Sequence, residues 1–155
     1  MNTVESKDGR TKVRFMVDSG ANYIVITPET FPHIPTREST CSRLGWSYRV
    51  ANGAEVPNEG EKEFKGIVKC ESGWSTAPKT VTAQVADITQ PLMAVRKMTT
   101  SGYGVIFDEQ GNGALNWLTQ EWIPMDEEED AWFLDLWVKA NDQMKDPRTS
   151  CLRQE

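Results

Sequence analysis

In the apolar-rich residues 12–17, Val13, Phe15 and Val17 alternate with Lys12, Arg14 and Met16. A period of two predicts a half-buried β-strand, because successive side chains of a strand point to opposite faces. The segment leads directly into Asp18, Ser19 and Gly20, a composition that is typical of a turn. Residues 23–27 are all β-branched or aromatic and predict a second, well-buried strand.

Two short strand-like segments, residues 47–51 and 54–57, are separated by Asn52 and Gly53. Asn-Gly predicts a β-hairpin, because both residues tolerate a positive φ. Residues 28–45 before it are rich in Pro, Thr and Ser and are predicted to be mostly loop. Residues 62–70 and 79–86 predict two further strands.

Residues 91–101 form the one short segment that predicts an α-helix. Pro91 stands at the favoured first position of a helix, and Gly102 stands where a helix ends. Residues 103–107 and 114–118 then predict two strands joined by a turn.

The C-terminal part allows two interpretations. Residues 121–125 and 131–138 flank an acidic run, residues 126–130, and form either a hairpin with a five-residue acidic loop or part of an amphipathic helix over about 127–144. Enrichment in aromatic and β-branched residues favours the hairpin. Its alternating apolar residues are expected in the core or in a dimer interface: Trp132, Leu134, Leu136 and Val138.

These elements predict an all-β, closed, barrel-like domain with a flap hairpin and one short α-helix near residues 91–101. A chain of 155 residues is long enough for one compact core. The expected organisation is a flexible arm (1–11), the main domain (12–118), an aromatic hairpin packed on it (119–138) and a polar tail (139–155).

Charge and cysteine content narrow the class of function. The net charge is −6 and no cluster of Lys and Arg occurs, so neither nucleic acid nor a membrane is an expected partner. Three cysteines without metal-site spacing argue against a disulfide framework or a zinc site. Cys70 is expected to be buried, Cys41 and Cys151 to be exposed, and the setting to be intracellular.

The chain lacks the residues that most hydrolytic sites need. Nucleophilic triads use a histidine, and the single one, His33, lies in a proline-flanked loop and is expected to be an ordinary surface residue. No metal-binding pattern or Gly-rich phosphate loop occurs, so no metal and no cofactor is expected. Paired carboxylates remain. Two carboxyls in one site share a proton, so that one activates water while the other donates to the scissile carbonyl.

Asp18 is the candidate for such a pair. It follows an apolar strand that gives rigid support, and it precedes a small hydroxyl and a glycine that allows close approach of another chain segment. A triplet of this kind is by itself an ordinary turn, and the sequence holds only one. A carboxylate pair therefore requires a second copy of the chain, which predicts a two-fold homodimer.

The order of elements around Asp18 resembles that of the retropepsin-like aspartic proteases of retroviruses and retrotransposons, especially the copia type. The resemblance covers about residues 12–107: a strand, the Asp-Ser-Gly-Ala turn, an apolar strand, the Asn-Gly hairpin, two strands, the apolar residues 91–95, a helix, Gly102 and a strand. It implies a homodimeric aspartic endopeptidase that cleaves extended peptides, expected to be its own polyprotein. The expected location is the cytoplasm or a virus-like particle.

The resemblance also implies a role for each matching residue. Asp18 would be catalytic, Ser19 would lock the active-site loops of two subunits together, and Gly20 would support that loop and approach the substrate backbone. Residues 49–55 would form the flap. The residues expected to contact substrate are Ala21, Asn22, Val50, Ala51, Asn52 and Gly53. Those expected to pack behind the loop are Leu92, Met93 and Ala94.

Two departures from the family pattern leave other interpretations open. Ala94 stands where many members have glycine, and the flap is less rich in glycine. The first alternative is a catalytically weakened retropepsin-fold module for dimerisation or peptide binding. The second is an unrelated small β domain in which the triplet is a chance turn. It predicts a monomer with Asp18 exposed.

Overall fold

The computed structural model describes residues 6–7, 9–50, 52–75 and 77–139. Strands make up 49% of the described residues and helices 8%, so this part of the chain is mostly β, as predicted. The two helices are short: α1 (Thr40–Arg43) and α2 (Val95–Thr100). In chain order the strands are β1 (Ser6–Lys7), β2 (Arg10–Asp18), β3 (Val25–Ile26), β4 (Ser47–Arg49), β5 (Glu55–Pro57), β6 (Gly60–Ile67), β7 (Lys69–Cys70), β8 (Gly73–Trp74), β9 (Lys79–Val85), β10 (Leu92–Ala94), β11 (Tyr103–Ile106), β12 (Gly113–Asn116), β13 (Trp122–Pro124), β14 (Asp126–Glu128) and β15 (Ala131–Lys139).

Six strands close a barrel in the order β2-β10-β3-β9-β6-β15, and β15 pairs back onto β2. The closing ladder is antiparallel and long, from Phe133 opposite Met16 to Lys139 opposite Arg10. A second antiparallel ladder joins β6 to β9 over most of their lengths. The predicted closed, barrel-like fold is confirmed.

The barrel core is filled by side chains from alternating positions of its strands. Every second residue of β2 and of the second half of β15 is buried. Phe15 of β2 and Phe64 of β6 are at most 1% exposed, and burial of a side chain of this size contributes about 1.5–3 kcal/mol. The apolar stripe of β15 therefore belongs to the core, through Leu134, Leu136 and Val138, with Trp132 packed against it.

Three smaller sheets accompany the barrel in the part of the chain that the structure describes, and one of them is the antiparallel pair of β7 and β8. Strands β4 and β5 form a separate hairpin, as the Asn-Gly sequence predicts. Strands β11, β12 and β13 form an antiparallel sheet after α2. The three-stranded sheet packs on the barrel core through Ala114 and Ile123.

The predicted helix over residues 91–101 is wrong in its first part. Leu92–Ala94 form β10, which lies between β2 and β3, and α2 begins only at Val95. A strand buried between two neighbours has consecutive apolar residues, and periodicity cannot separate such a run from a buried helix. The helix ends before Gly102, as predicted, and the φ of 97° at this residue favours glycine.

Residues 28–45 are not loop throughout, because they contain α1. Ser39 and Ser42 cap this helix reciprocally, each side-chain oxygen accepting from the other residue's backbone N–H. Helix α1 packs against β6 and buries Cys41 to 6% exposure, so the prediction of an exposed Cys41 is wrong. Cys70 is 3% exposed, as predicted, and Cys151 lies outside the described residues.

The C-terminal part forms a hairpin and not a helix, but the predicted pairing of residues 121–125 with 131–138 is wrong. β14 pairs with β15, so three of the five residues of the acidic run are strand and only Glu129 and Asp130 form the turn. Their φ values of 50° and 67° are those of a tight two-residue hairpin turn. β13 pairs with β12 and not with β15, because β15 is already paired with β2 and β6.

Other boundaries shift by a few residues. The strand predicted over residues 23–27 is reduced to Val25–Ile26. Within the predicted arm, Ser6–Lys7 pair with Arg10 and Thr11. The predicted tail begins at Lys139, the last residue of β15, and its remainder lies outside the described residues.

Candidate active site

Asp18 is the last residue of β2 and is half-buried. Its Oδ1 accepts a hydrogen bond from the Gly20 N–H at 2.7 Å, so the carboxylate is held by its own loop. The Ala21 N–H donates to the Asp18 carbonyl at 3.4 Å and closes the turn. A Cβ at Gly20 would lie 3.4 Å from the same Oδ1, an ordinary contact, so space within this chain does not demand glycine here. Oδ2 has no hydrogen-bond partner among the described residues.

Strand β10 supports this loop from behind. It pairs in parallel with β2, with Met93 opposite Val17 and Ala94 opposite Asp18. On its other side, Leu92 lies opposite Val25 of β3. Because β10 lies between β2 and β3, the loop that joins those two strands must cross over the end of β10. The structure therefore brings Leu92, Met93 and Ala94 together with Asp18.

The rest of the loop faces outward. Ser19, Gly20 and Asn22 are exposed, and Ala21 is half-buried. The Ser19 hydroxyl has no hydrogen-bond partner in the described part of this single chain. These residues present donors and acceptors to the surroundings, while Asp18 and the β10 ladder form the rigid base beneath them.

The flap tip is a compact turn. The Val50 N–H donates to the Ala54 carbonyl at 2.9 Å, and the Gly53 N–H donates to the Val50 carbonyl at 2.9 Å. Asn52 Oδ1 accepts from the Ala54 N–H at 2.9 Å, and Gly53 has a φ of 87°. Asn52 and Gly53 are exposed, and none of these bonds reaches the Asp18 loop. Ala51 lies outside the described residues.

The base of the flap is fixed by Asn58, a buried residue that sequence reasoning missed. Its Oδ1 accepts from the Ser39 hydroxyl at 3.2 Å and from the Gly60 N–H at 2.8 Å. Its Nδ2 donates to the Tyr48 hydroxyl at 2.8 Å and to Gln84 Oε1 at 2.9 Å. Burial raises the pKa of Tyr48 to about 12, so this hydroxyl stays protonated at neutral pH. The network ties β4 to β9 and to the start of α1.

Tyr23 joins the Asp18 loop to the flap base and was also missed. Its ring meets the edge of Trp46, with centroids 6.2 Å apart, and Lys97 Nζ lies 5.0 Å from its centroid. A hydrogen bond with the Cys41 thiol raises the pKa of Tyr23. Trp46 is 46% exposed just before β4. Tyr23 directly follows Asn22, and Trp46 directly precedes β4 of the flap hairpin. These positions in the sequence could have indicated that both residues lie near the candidate site.

Other catalytic sets are not assembled in the part of the chain described. His33 is exposed, as predicted, and its ring contacts Phe31. No group of three or more His, Cys, Asp or Glu residues among those described could hold a metal ion. Among the described residues, the Asp18 loop is therefore the best-supported candidate for an active site.

Comparison of the chain with protein-family models, with curated proteins and with solved structures found no match in any of the three. A search of the described residues for a helix long and apolar enough to cross a membrane also found none.

Proposed function

We propose that the chain is one subunit of a homodimeric aspartic endopeptidase whose active site combines two copies of Asp18. The observation that carries the proposal is that neighbouring residues hold the Asp18 carboxylate in place. Asp18 ends a core strand, its backbone lies beside buried Ala94, and the Gly20 N–H orients Oδ1 at 2.7 Å. A general acid or base must be held in a fixed geometry. The end of β2 and the hydrogen bond from the Gly20 N–H hold the Asp18 carboxylate in this way.

Two copies are needed because one chain offers one such aspartate. In the proposed dimer, one carboxylate takes a proton from a water molecule as the water oxygen attacks the scissile carbonyl. The protonated partner carboxyl donates a hydrogen bond to that carbonyl oxygen. The first carboxyl then passes the proton that it took from water to the leaving nitrogen as the C–N bond breaks. The exposed Ser19 hydroxyl of each subunit is proposed to bond with the opposite loop.

The proposed substrate is an extended peptide, held between the flap and the loop of Ala21 and Asn22. The exposed, hydrogen-bonded tip at Asn52 and Gly53 suits a hairpin that opens and closes over such a chain. A polyprotein that carries the domain is the proposed natural substrate. An intracellular setting, cytoplasm or virus-like particle, is supported by the buried free thiols of Cys41 and Cys70.

The test compares Asp18→Asn with Asp87→Asn, which changes an exposed aspartate outside the loop. Each full chain is incubated with fluorescently labelled, unfolded casein from acidic to neutral pH, and its fold is checked by circular dichroism. Asp18→Asn should abolish cleavage while leaving the spectrum unchanged, and Asp87→Asn should cleave like the wild type. Cleavage retained by Asp18→Asn would overturn the proposal.

The second candidate is a non-catalytic module of the same architecture for dimerisation or peptide binding. It is favoured by Ala94, whose methyl group stands opposite Asp18 with no exposed surface. A wild-type chain that dimerises and binds unfolded casein without cleaving it across the pH range would favour this candidate.

A further inference from the structure

Strand β9 has one open edge. On one side it pairs with β6 along its whole length, from Lys79 to Val85. On the other side the short strand β3 covers only Gln84 and Val85. Among the described residues, the first part of β9 therefore has a neighbouring strand on one side only, although it belongs to the closed barrel.

The hydrogen-bonding groups of Thr80 and Thr82 point to this open side. The Gln84 N–H donates to the Ile24 carbonyl at 2.7 Å, away from β6. Backbone groups of a strand alternate in direction, so Thr82 and Thr80, two and four residues earlier, point the same way. No partner for their N–H or C=O groups exists among the residues that the structure describes, and both residues are exposed.

A cavity of about 690 Å³ borders the same edge. Its lining also includes Lys97 and Met98 of α2, Tyr103 of β11, and the core residues Met93 and Leu134. The edge therefore faces an apolar recess, so the side chains of an added strand would find an apolar surface beside the unpaired backbone.

We propose that the open edge of β9 is a docking site for an extended peptide, which adds as a strand beside residues 79–83 and places apolar side chains in the cavity. Unpaired N–H and C=O groups at two-residue spacing match the backbone of an extended chain. The site is separate from the Asp18 loop, and the proposal holds whether or not Asp18 is catalytic.

Charge favours a peptide with acidic side chains. Lys79 and Lys97 line the cavity. Glu61 is the only carboxylate among the described residues that line it, and it is bonded to Arg37 at 2.8 Å. Lys79 is in turn ion-paired with Glu121 at 3.8 Å. Lys97 has no ion pair among the described residues, so its charge favours an acidic peptide over a basic one.

The test uses the full chain with Asp18→Asn, so that no bound peptide is cleaved. The probe is a fluorescein-labelled, C-terminally amidated peptide of sequence Glu-Val-Thr-Val-Thr-Val-Thr-Glu, and binding is followed by anisotropy. Hydrogen exchange by NMR locates it: the amides of Thr80 and Thr82 should slow on binding, while those of Val81 and Ala83, already paired with β6, should change little. Binding that leaves Thr80 and Thr82 exchanging as before would overturn the proposal.

Two variants and one altered probe separate backbone pairing from simple hydrophobic contact. Thr82→Pro removes an N–H that faces the open edge, which an edge strand tolerates, and it should weaken binding at least about tenfold. Thr82→Ala keeps the N–H and should bind within about twofold of the parent. The probe N-methylated at its central residues should fail to bind even if Thr82→Pro does not fold. Equal binding of the methylated and unmethylated probes would overturn the proposal.

Discussion

Ala94 lies opposite Asp18 in the parallel ladder between β10 and β2, and no part of its side chain reaches solvent. The residue behind the candidate carboxylate is thus packed on all sides. A methyl group is accommodated there, but a larger side chain would have to displace β2 or β3, the two strands that hold the loop.

We predict that Ala94→Leu destabilises the fold by about 1–3 kcal/mol, because a close-packed site has no room for the extra carbons. Ala94→Gly should cost about 1 kcal/mol through chain entropy and a lost methyl group. Urea unfolding measures both, with Ala77→Leu at an exposed position as the control. A fully stable Ala94→Leu protein would mean that β10 does not pack behind the loop.

Asn58→Ala should loosen the flap. In the wild type, Asn58 Nδ2 donates to both the Tyr48 hydroxyl and Gln84 Oε1, and the variant removes this donor. The expected loss of stability is about 1–3 kcal/mol. The flap carries Arg49, so limited trypsin digestion should cut it faster than in the wild type. Asn52→Ala removes only a bond at the exposed tip and is the matched control. Equal cutting rates in the two variants would contradict a role for Asn58 at the flap base.

Much of the barrel could be predicted because alternation and turn chemistry are local. The strand before Asp18, the Asn-Gly hairpin and the end of α2 at Gly102 all follow from neighbouring residues. Residues 92–94 could not be assigned this way. Their apolar run becomes a strand only because β2 and β3, far away in sequence, accept it between them.

The candidate site was predictable in part for the same reason. Asp18 is visible as a strand end followed by a turn, whereas Asn58 is an ordinary turn residue until Tyr48 and Gln84 surround its amide. The polar neighbours of Cys41 in the sequence likewise predict that it is exposed. In the structure, the packing of α1 on β6 buries it. Such contacts depend on tertiary packing, which no local pattern contains.

The turn between β14 and β15 should be improvable. Glu129 and Asp130 have φ values of 50° and 67°, a conformation that Asn and Gly adopt at lower cost. The double variant Glu129→Asn with Asp130→Gly should gain about 0.5–1 kcal/mol of stability and raise the melting temperature measured by calorimetry. Glu127→Asn, within β14, should not raise it. A lower melting temperature for the double variant would contradict the observed turn.

Lys62 should make stability depend on alkaline pH. Its Nζ donates to the carbonyls of Thr30 and Phe31 at 3.0 and 2.9 Å, and the residue is 3% exposed. Burial lowers the pKa of Lys62 below its ordinary 10.5. Between the folded-state pKa and that ordinary value, the unfolded chain binds more protons than the folded one. The stability associated with Lys62 therefore rises as pH rises through this window.

The variant Lys62→Met should lose about 1–3 kcal/mol at neutral pH, because the Thr30 carbonyl loses its donor. Its deficit relative to the wild type should grow as the pH approaches 10.5. Urea unfolding at several pH values measures the difference, and Lys69→Met, at an exposed lysine, should show no such trend. A deficit that shrinks with rising pH would contradict the lowered pKa.

If the active site needs two copies of Asp18, an inactive chain should inhibit an active one by exchange. Asp18→Asn is mixed with wild-type chain at a concentration where sedimentation shows dimers, and casein cleavage is measured. When partners exchange at random and mixed dimers are inactive, an equal amount of Asp18→Asn should halve the activity. A threefold excess should reduce it to about one quarter. The control is Ser19→Ala with Asp18→Asn, which lacks the hydroxyl proposed to bond the opposite loop and should inhibit less. Activity that stays constant at every ratio would mean that a single chain carries the whole site.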